Sequence, residues 1–205
     1  INSEEAGTYF LCAGALVPYK KIDLAIKAFN QSGDKLIIAG TGPELQKLKR
    51  QAKSNITFMG RVSNQDLAKL YAGARALVFP GTEDFGMMPV ECMAAGRPVI
   101  GVASGGLLET VKPVRISLEK KPDLLGHQIR EFGFTGVLID AHADRLQALL
   151  TAVAYFKLYE PCFSAEACRR QAAKFSFEAF RAGWEQVISE SGLQAKAPVK
   201  VSSAA

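Results

Sequence analysis

Six short apolar runs punctuate the chain: Tyr9-Phe10-Leu11-Cys12, Lys35-Leu36-Ile37-Ile38-Ala39, Ile56-Thr57-Phe58-Met59, Ala76-Leu77-Val78-Phe79, Pro98-Val99-Ile100-Gly101-Val102 and Gly136-Val137-Leu138-Ile139. Runs this unbroken suit strands buried on both faces, as in a parallel sheet. Between them the apolar spacing changes to a helical period. Ile22 to Phe29 places Leu24, Ala25, Ala28 and Phe29 on one side, and Glu44 to Ala52 turns Leu45 and Leu48 inward. Asn64 to Ala72 follows a capping box, Ser63 with Asp66 three residues on. Strands alternating with helices predict an α/β fold, a Rossmann-like parallel sheet with helices on both faces. After Asp140 the pattern predicts helices alone, over Asp144 to Phe156, Ser164 to Ala173 and Phe177 to Ser189. Their Leu, Val, Phe and Trp184 positions are expected to pack in the core.

Composition narrows the function classes. A chain of 205 residues is within the range of one domain and can bury a full core. The net charge of +5 is spread through Lys20-Lys21, Lys47 to Arg50, Lys120-Lys121 and Arg169-Arg170, with no aromatic-interleaved basic cluster, so nucleic acid is not an expected partner. An anionic ligand or an acidic membrane surface accounts for the excess equally well. No segment approaches the ~20 apolar residues of a membrane span, and no signal peptide is visible. Cys12, Cys92, Cys162 and Cys168 lack metal-ligand spacing and read as free thiols in a reducing, cytoplasmic compartment. His127 and His142 fall in or beside loops without partners, so no metal site and no Ser-His-acid triad is expected. The last residues, 193–205, read as a disordered tail behind a domain over 1–192.

The chemistry concentrates in Glu83-Asp84-Phe85-Gly86-Met87-Met88-Pro89-Val90-Glu91, where two glutamates with seven residues between them flank a glycine-containing turn. Pro89 suits a first helical position and Gly96 the position just past a helix end, which puts Glu83 in a loop and Glu91 in a first turn. The loop follows an apolar strand, and ligands of open α/β sheets bind at the carboxyl ends of strands. Backbone N–H groups from Phe85 to Pro89, with the positive end of the helix dipole, favour a phosphate or pyrophosphate. The two carboxylates then turn to sugar hydroxyls, from which a charged acceptor takes strong hydrogen bonds. Either acid alone also fits a plain helix start or a solvated turn.

This stretch resembles the E-x7-E motif in the C-terminal domains of the retaining glycosyltransferases of the GT4 group, which have the two-lobed GT-B architecture. Further landmarks follow in the same order: Leu16-Val17-Pro18-Tyr19-Lys20-Lys21 resembles the family's first loop, Gly40-Thr41-Gly42-Pro43 its second and Gly60-Arg61-Val62 its third. Ala95-Gly96-Arg97-Pro98 and Gly105-Gly106-Leu107-Leu108-Glu109 complete the pattern, and Phe175 to Ile188 is similar to the closing helix. The first loop most resembles mannosyltransferase-like members of surface polysaccharide synthesis, which implies GDP-mannose as donor and no cofactor beyond it.

Residue by residue, the resemblance implies that Glu91 accepts from the donor's ribose and Glu83 from the transferred sugar. Backbone groups of Phe85, Gly86, Met87 and Met88 would hold sugar and diphosphate, and Lys20 would neutralise the leaving diphosphate where charge develops. Lys21 is a second candidate for that contact, Arg61 and Val62 border the base, and Gly14, Gly40 and Gly42 allow close backbone approach. Many family members carry an arginine after the first-loop glycine, whereas this chain has Ala15. The chain also inserts a charged, irregular stretch, Lys112 to Glu131, where the family has a short turn. The length is too short for both lobes and the chain opens on Ile1-Asn2-Ser3, so a donor-binding half is expected. Its N-terminal partner lobe would bring a glycan or lipid-linked acceptor, at the inner face of a membrane. Rival readings are a non-catalytic nucleotide-sugar-binding module, a sugar-nucleotide epimerase of the same architecture, and an oxidoreductase suggested by Gly40-Thr41-Gly42. The last lacks the third glycine of G-x-G-x-x-G, since Leu45 stands there.

Overall fold

Each of the six apolar runs forms a strand; burial on both faces explains why five of them are apolar without alternation, whereas the third, at a sheet edge, leaves Thr57 and Met59 exposed. The computed structural model describes residues 7–116, 126–140 and 144–191. Strand β1 (Phe10–Ala13) sits inside the sheet, with β2 (Leu36–Ala39) and then β3 (Ile56–Gly60) on one side. On its other side follow β4 (Leu77–Phe79), β5 (Val99–Val102), β7 (Gly136–Ile139) and β6 (Pro113–Ile116), in the order β3-β2-β1-β4-β5-β7-β6. Every pairing is parallel. Successive strand residues point to opposite faces, and β1 shows the consequence. Phe10 and Cys12 enter a core under α1 (Ile22–Ser32), α2 (Leu45–Gln51) and α7 (Arg145–Tyr159). Tyr9, Leu11 and Ala13 enter a second core under α3 (Asn64–Gly73), α4 (Met87–Ala94), α5 (Leu107–Thr110) and α8 (Ala165–Ala173). The Rossmann-like expectation is met on both faces.

The capping box at α3 forms as expected from the sequence, with the Asp66 N–H donating to Ser63 Oγ at 3.1 Å. Two expectations fail. The stretch from Lys112 to Glu131 is not simply irregular, because it supplies β6 and most of α6 (Gly126–Phe132); residues 117–125 lie outside the described residues. Strand β6 escapes a hydrophobic reading because it begins with Pro113 and carries Arg115, both tolerable on a sheet edge. Helix α9 (Phe177–Glu190) does not bury its apolar stripe. Phe177, Phe180, Trp184 and Val187 remain 71%, 64%, 54% and 54% exposed, whereas α7 buries Leu149, Val153 and Phe156. Periodicity reveals a stripe and is silent about what covers it. His127 lies exposed on α6, and His142 and the 193–205 tail lie outside the described residues.

Candidate functional site

The chain runs β1, β2, β3 in one direction and returns to place β4 on the free side of β1, with Leu11 opposite Leu77. Such a switch point leaves a crevice beyond the strand ends. Here it is a hollow of about 680 Å³, lined just past β1 by Gly14 and Ala15, from the following turn by Tyr19 and Lys20, and from β4 onward by Phe79 and the 82–88 segment. Of the residues expected from the sequence, Gly14, Lys20, Glu83, Phe85, Gly86, Met87 and Met88 converge on this one hollow.

The turn after β1 decides between the two adjacent lysines. Pro18–Lys20 forms one 3₁₀ turn, and Lys21 adopts a left-handed backbone (φ 53°), the only non-glycine among the described residues to do so. The result turns Lys20 inward, 9% exposed, and Lys21 out to solvent. Lys20 Nζ pairs with Glu83 Oε1 and lies 5.3 Å from the Phe79 ring centroid and 5.5 Å from that of Tyr19. Gly81 makes this closeness possible, since a Cβ there would come within 2.7 Å of Lys20 Cα. Lys21 lines no part of the hollow.

Glu83 is held by its backbone as well as by its side chain's pairing with Lys20. The Gly106 N–H donates to the Glu83 carbonyl at 2.8 Å, and Cβ atoms at Gly105 or Gly106 would lie 2.1 Å from the carbonyl oxygens of Glu83 and Phe85. The loop after β5 thus clamps the loop after β4, with Thr82 and Ser104 hydroxyls 2.9 Å apart beside it. Helix α4 starts at Met87, two residues before the expected start at Pro89, because Gly86 takes the left-handed cap position (φ 83°) that glycine adopts without steric cost. Pro89 is therefore the third helical residue and Glu91 lies in the second turn. Met87 and Met88 carry the free N–H groups of the helix start, and Pro89 has none to offer. Gly96 follows the helix end as expected (φ 84°).

Glu91 opens into a different hollow, about 490 Å³ between α3 and α4, with Asn64, Leu67, Ala68, Tyr71, Ala94 and Ala95. The Tyr71 hydroxyl donates to Glu91 Oε2 at 3.0 Å. Burial first, and the neighbouring Glu91 carboxylate second, push the Tyr71 phenol far above its usual range, so it stays a donor. Sequence reading missed Tyr71, since one tyrosine on a helical apolar face carries no distinguishing signal. Arg61 is exposed and Val62 packs against the second core, and neither lines either hollow. Gly40 and Gly42 approach the first loop itself: Cβ atoms there would stand 1.8 Å from the Gly14 carbonyl oxygen and 2.4 Å from that of Leu16. Phe85 meets Phe175 edge to face at 5.8 Å.

Among the described residues no helix is long and apolar enough to cross a membrane. Compared with known proteins, residues 1–154 match the model of the family described as glycosyl transferases group 1. The O-antigen chain mannosyltransferase RfbU of Salmonella typhimurium is 35% identical over 109 residues, 49% of this chain and 31% of that protein. A GDP-mannose-dependent monoacylated alpha-(1-6)-phosphatidylinositol monomannoside mannosyltransferase of Corynebacterium glutamicum is 34% identical over 118 residues, 50% of this chain and 31% of that protein. The chain thus spans about a third of the length of these curated relatives. Among solved structures, sucrose-phosphate synthase from Thermosynechococcus elongatus superposes with a TM-score of 0.71 at 24% identity, over 92% of this chain and 46% of that one, a likeness of fold. With three quarters of its length matched by the family model, this chain belongs to the group 1 glycosyl transferases.

Proposed function

We propose that this chain is the donor-binding half of a retaining glycosyltransferase. On this reading it transfers a hexose, mannose, from a nucleotide-diphosphate sugar, GDP-mannose, to a glycan or lipid-linked acceptor brought by an N-terminal lobe. The observation that carries the reading is the convergence of Lys20, Glu83 and the start of α4 on one hollow at the switch point of the sheet. Each part has a chemical task there. The α4 N–H groups of Met87 and Met88 and the Lys20 ammonium face the diphosphate, and Lys20 gains most as negative charge builds on the leaving group. Its burial beside Phe79 keeps water from screening that charge. These groups take the role a metal ion would otherwise play. Glu83 accepts from hydroxyls of the transferred sugar and Glu91 from those of the ribose.

The oxidoreductase reading loses its motif, since Gly40 and Gly42 are spent on packing against Gly14 and Leu16. Mannose as the sugar is supported by the two mannosyltransferase relatives, one of them GDP-mannose-dependent by name. The test is calorimetric titration of the chain with GDP-mannose, UDP-glucose, GDP, UDP and NAD. Saturable binding of GDP-mannose and GDP, with NAD silent, is the expected result. Preference for a uridine nucleotide would overturn the donor, and binding of NAD alone would overturn the reading.

A further inference from the structure

Tyr71 is brought to Glu91 by a chain of contacts that leaves its ring little room to move. The last turn of α3 exposes carbonyls without intrahelical partners, and two of them flank Tyr71. The Leu70 carbonyl accepts from the Tyr9 hydroxyl at 2.9 Å, and the Ala72 carbonyl accepts from Arg97 Nε and Nη2 at 2.9 and 2.6 Å. Gly73 fits against Tyr9 so closely that a Cβ would lie 2.6 Å from the hydroxyl oxygen. Tyr71 itself is 3% exposed, packed with Leu70, Cys92 and Met93. Cys92 and Met93, both fully buried, fix the α4 turn that carries Glu91. Both ends of the Tyr71–Glu91 hydrogen bond therefore sit on anchored backbone, although Glu91 is an exposed residue.

We infer that Tyr71 is the positioning residue for Glu91: its hydroxyl holds Oε2 so that the carboxylate presents its other oxygen to a vicinal diol in the α3–α4 hollow, making this pair the device that selects ribo- over deoxyribonucleotides. The inference rests on the proposed reading of Glu91 as the ribose anchor. A flexible glutamate on an exposed helix surface loses rotamer freedom on binding, and a prior hydrogen bond removes much of that cost. Tyr71→Phe keeps the ring and removes only the donor.

The experiment titrates GDP and 2′,3′-dideoxy-GDP into the chain as wild type, Y71F, E91Q and the double variant, with a thermal melt of each to confirm folding. Y71F is expected to lower the preference for GDP over its dideoxy analogue about 3- to 10-fold, the net worth of one ordinary hydrogen bond, since Tyr71 acts on the diol only through Glu91. In the E91Q background Y71F should have no further effect on that ratio. An equal loss for both nucleotides, or a full effect in the E91Q background, would mean that Tyr71 only supports the fold and would overturn the inference alone. An unchanged ratio in E91Q, or no saturable binding of GDP to the folded wild type, would overturn the ribose role of Glu91 and the inference with it. Were Y71F unfolded by its melt, Arg97→Ala, which frees the carbonyl beside Tyr71, should shift the same ratio in the same direction, and an unchanged ratio there would count against the inference.

Discussion

At Lys20 the ammonium has three neighbours, the Glu83 carboxylate and the faces of Phe79 and Tyr19, in a position nearly closed to solvent. A cation so placed interacts strongly with a second anion. Lys20→Ala is accordingly expected to weaken GDP binding about 10- to 100-fold, the range of one charge-assisted hydrogen bond, while leaving guanosine nearly unaffected. Calorimetry with both ligands checks it, and an equal loss for the two would refute the diphosphate role. Ala15 lines the same hollow, at the position where the family resemblance implies an arginine. The sequence brought Lys20 and Lys21 forward together. Only the 3₁₀ turn and the left-handed Lys21 separate them, and that geometry depends on Gly81 across the loop.

The helices divide into those whose stripes are covered and α9, whose stripe is not. Phe156 on α7 is fully buried and stacks near Phe10 and Phe163 at 5.9 and 5.4 Å, whereas Trp184 on α9 touches Phe180 and remains half exposed. Deleting a buried ring costs its transfer free energy and leaves a cavity. Phe156→Ala should lower stability by about 3–5 kcal/mol and Trp184→Ala by about 0.5 kcal/mol or less. Denaturant unfolding of the 205-residue chain measures both, and comparable losses would show that α9 is packed after all. The chain of α7 is apolar on nearly all sides and that of α9 only along one stripe, yet neither pattern says which surface finds a partner. The start of α4 has a similar lesson. Pro89 fits either the first or the third helical position, and the left-handed Gly86 settles the matter by capping two residues earlier.

For the molecule as a whole, buried thiols set an alkaline limit. Cys12, Cys92 and Cys168 are free and fully buried. Burial, which disfavours the thiolate, raises all three, Cys168 from its usual 9.0 to about 12 and the other two further. A group whose pKa is higher in the folded chain contributes stability that is complete below the unfolded value and is lost as pH climbs toward the folded one. Stability should therefore hold up to about pH 9 and then fall, by about 1.4 kcal/mol per pH unit for each thiol. Thermal melts between pH 7 and 11 are the measurement, with Cys168→Ala expected to decline less steeply than the parent. An identical slope in the variant would show that the thiol does not titrate with unfolding.

The sequence by itself determined the six strands first expected, their parallel arrangement and the motif order, because buried parallel strands and glycine-bounded helices leave patterns in the chain. It also brought forward Glu83, Lys20 and the Phe85 to Met88 turn, which the fold then gathers into one hollow. What only the tertiary structure decided is contact across distance. The separation of Glu83 and Glu91 into two hollows, the Tyr71 hydroxyl on Glu91, the use of Gly40 and Gly42 against the first loop, and the uncovered face of α9 all depend on which surfaces meet. Local pattern records what a residue prefers, and packing between elements far apart in the chain assigns its neighbour.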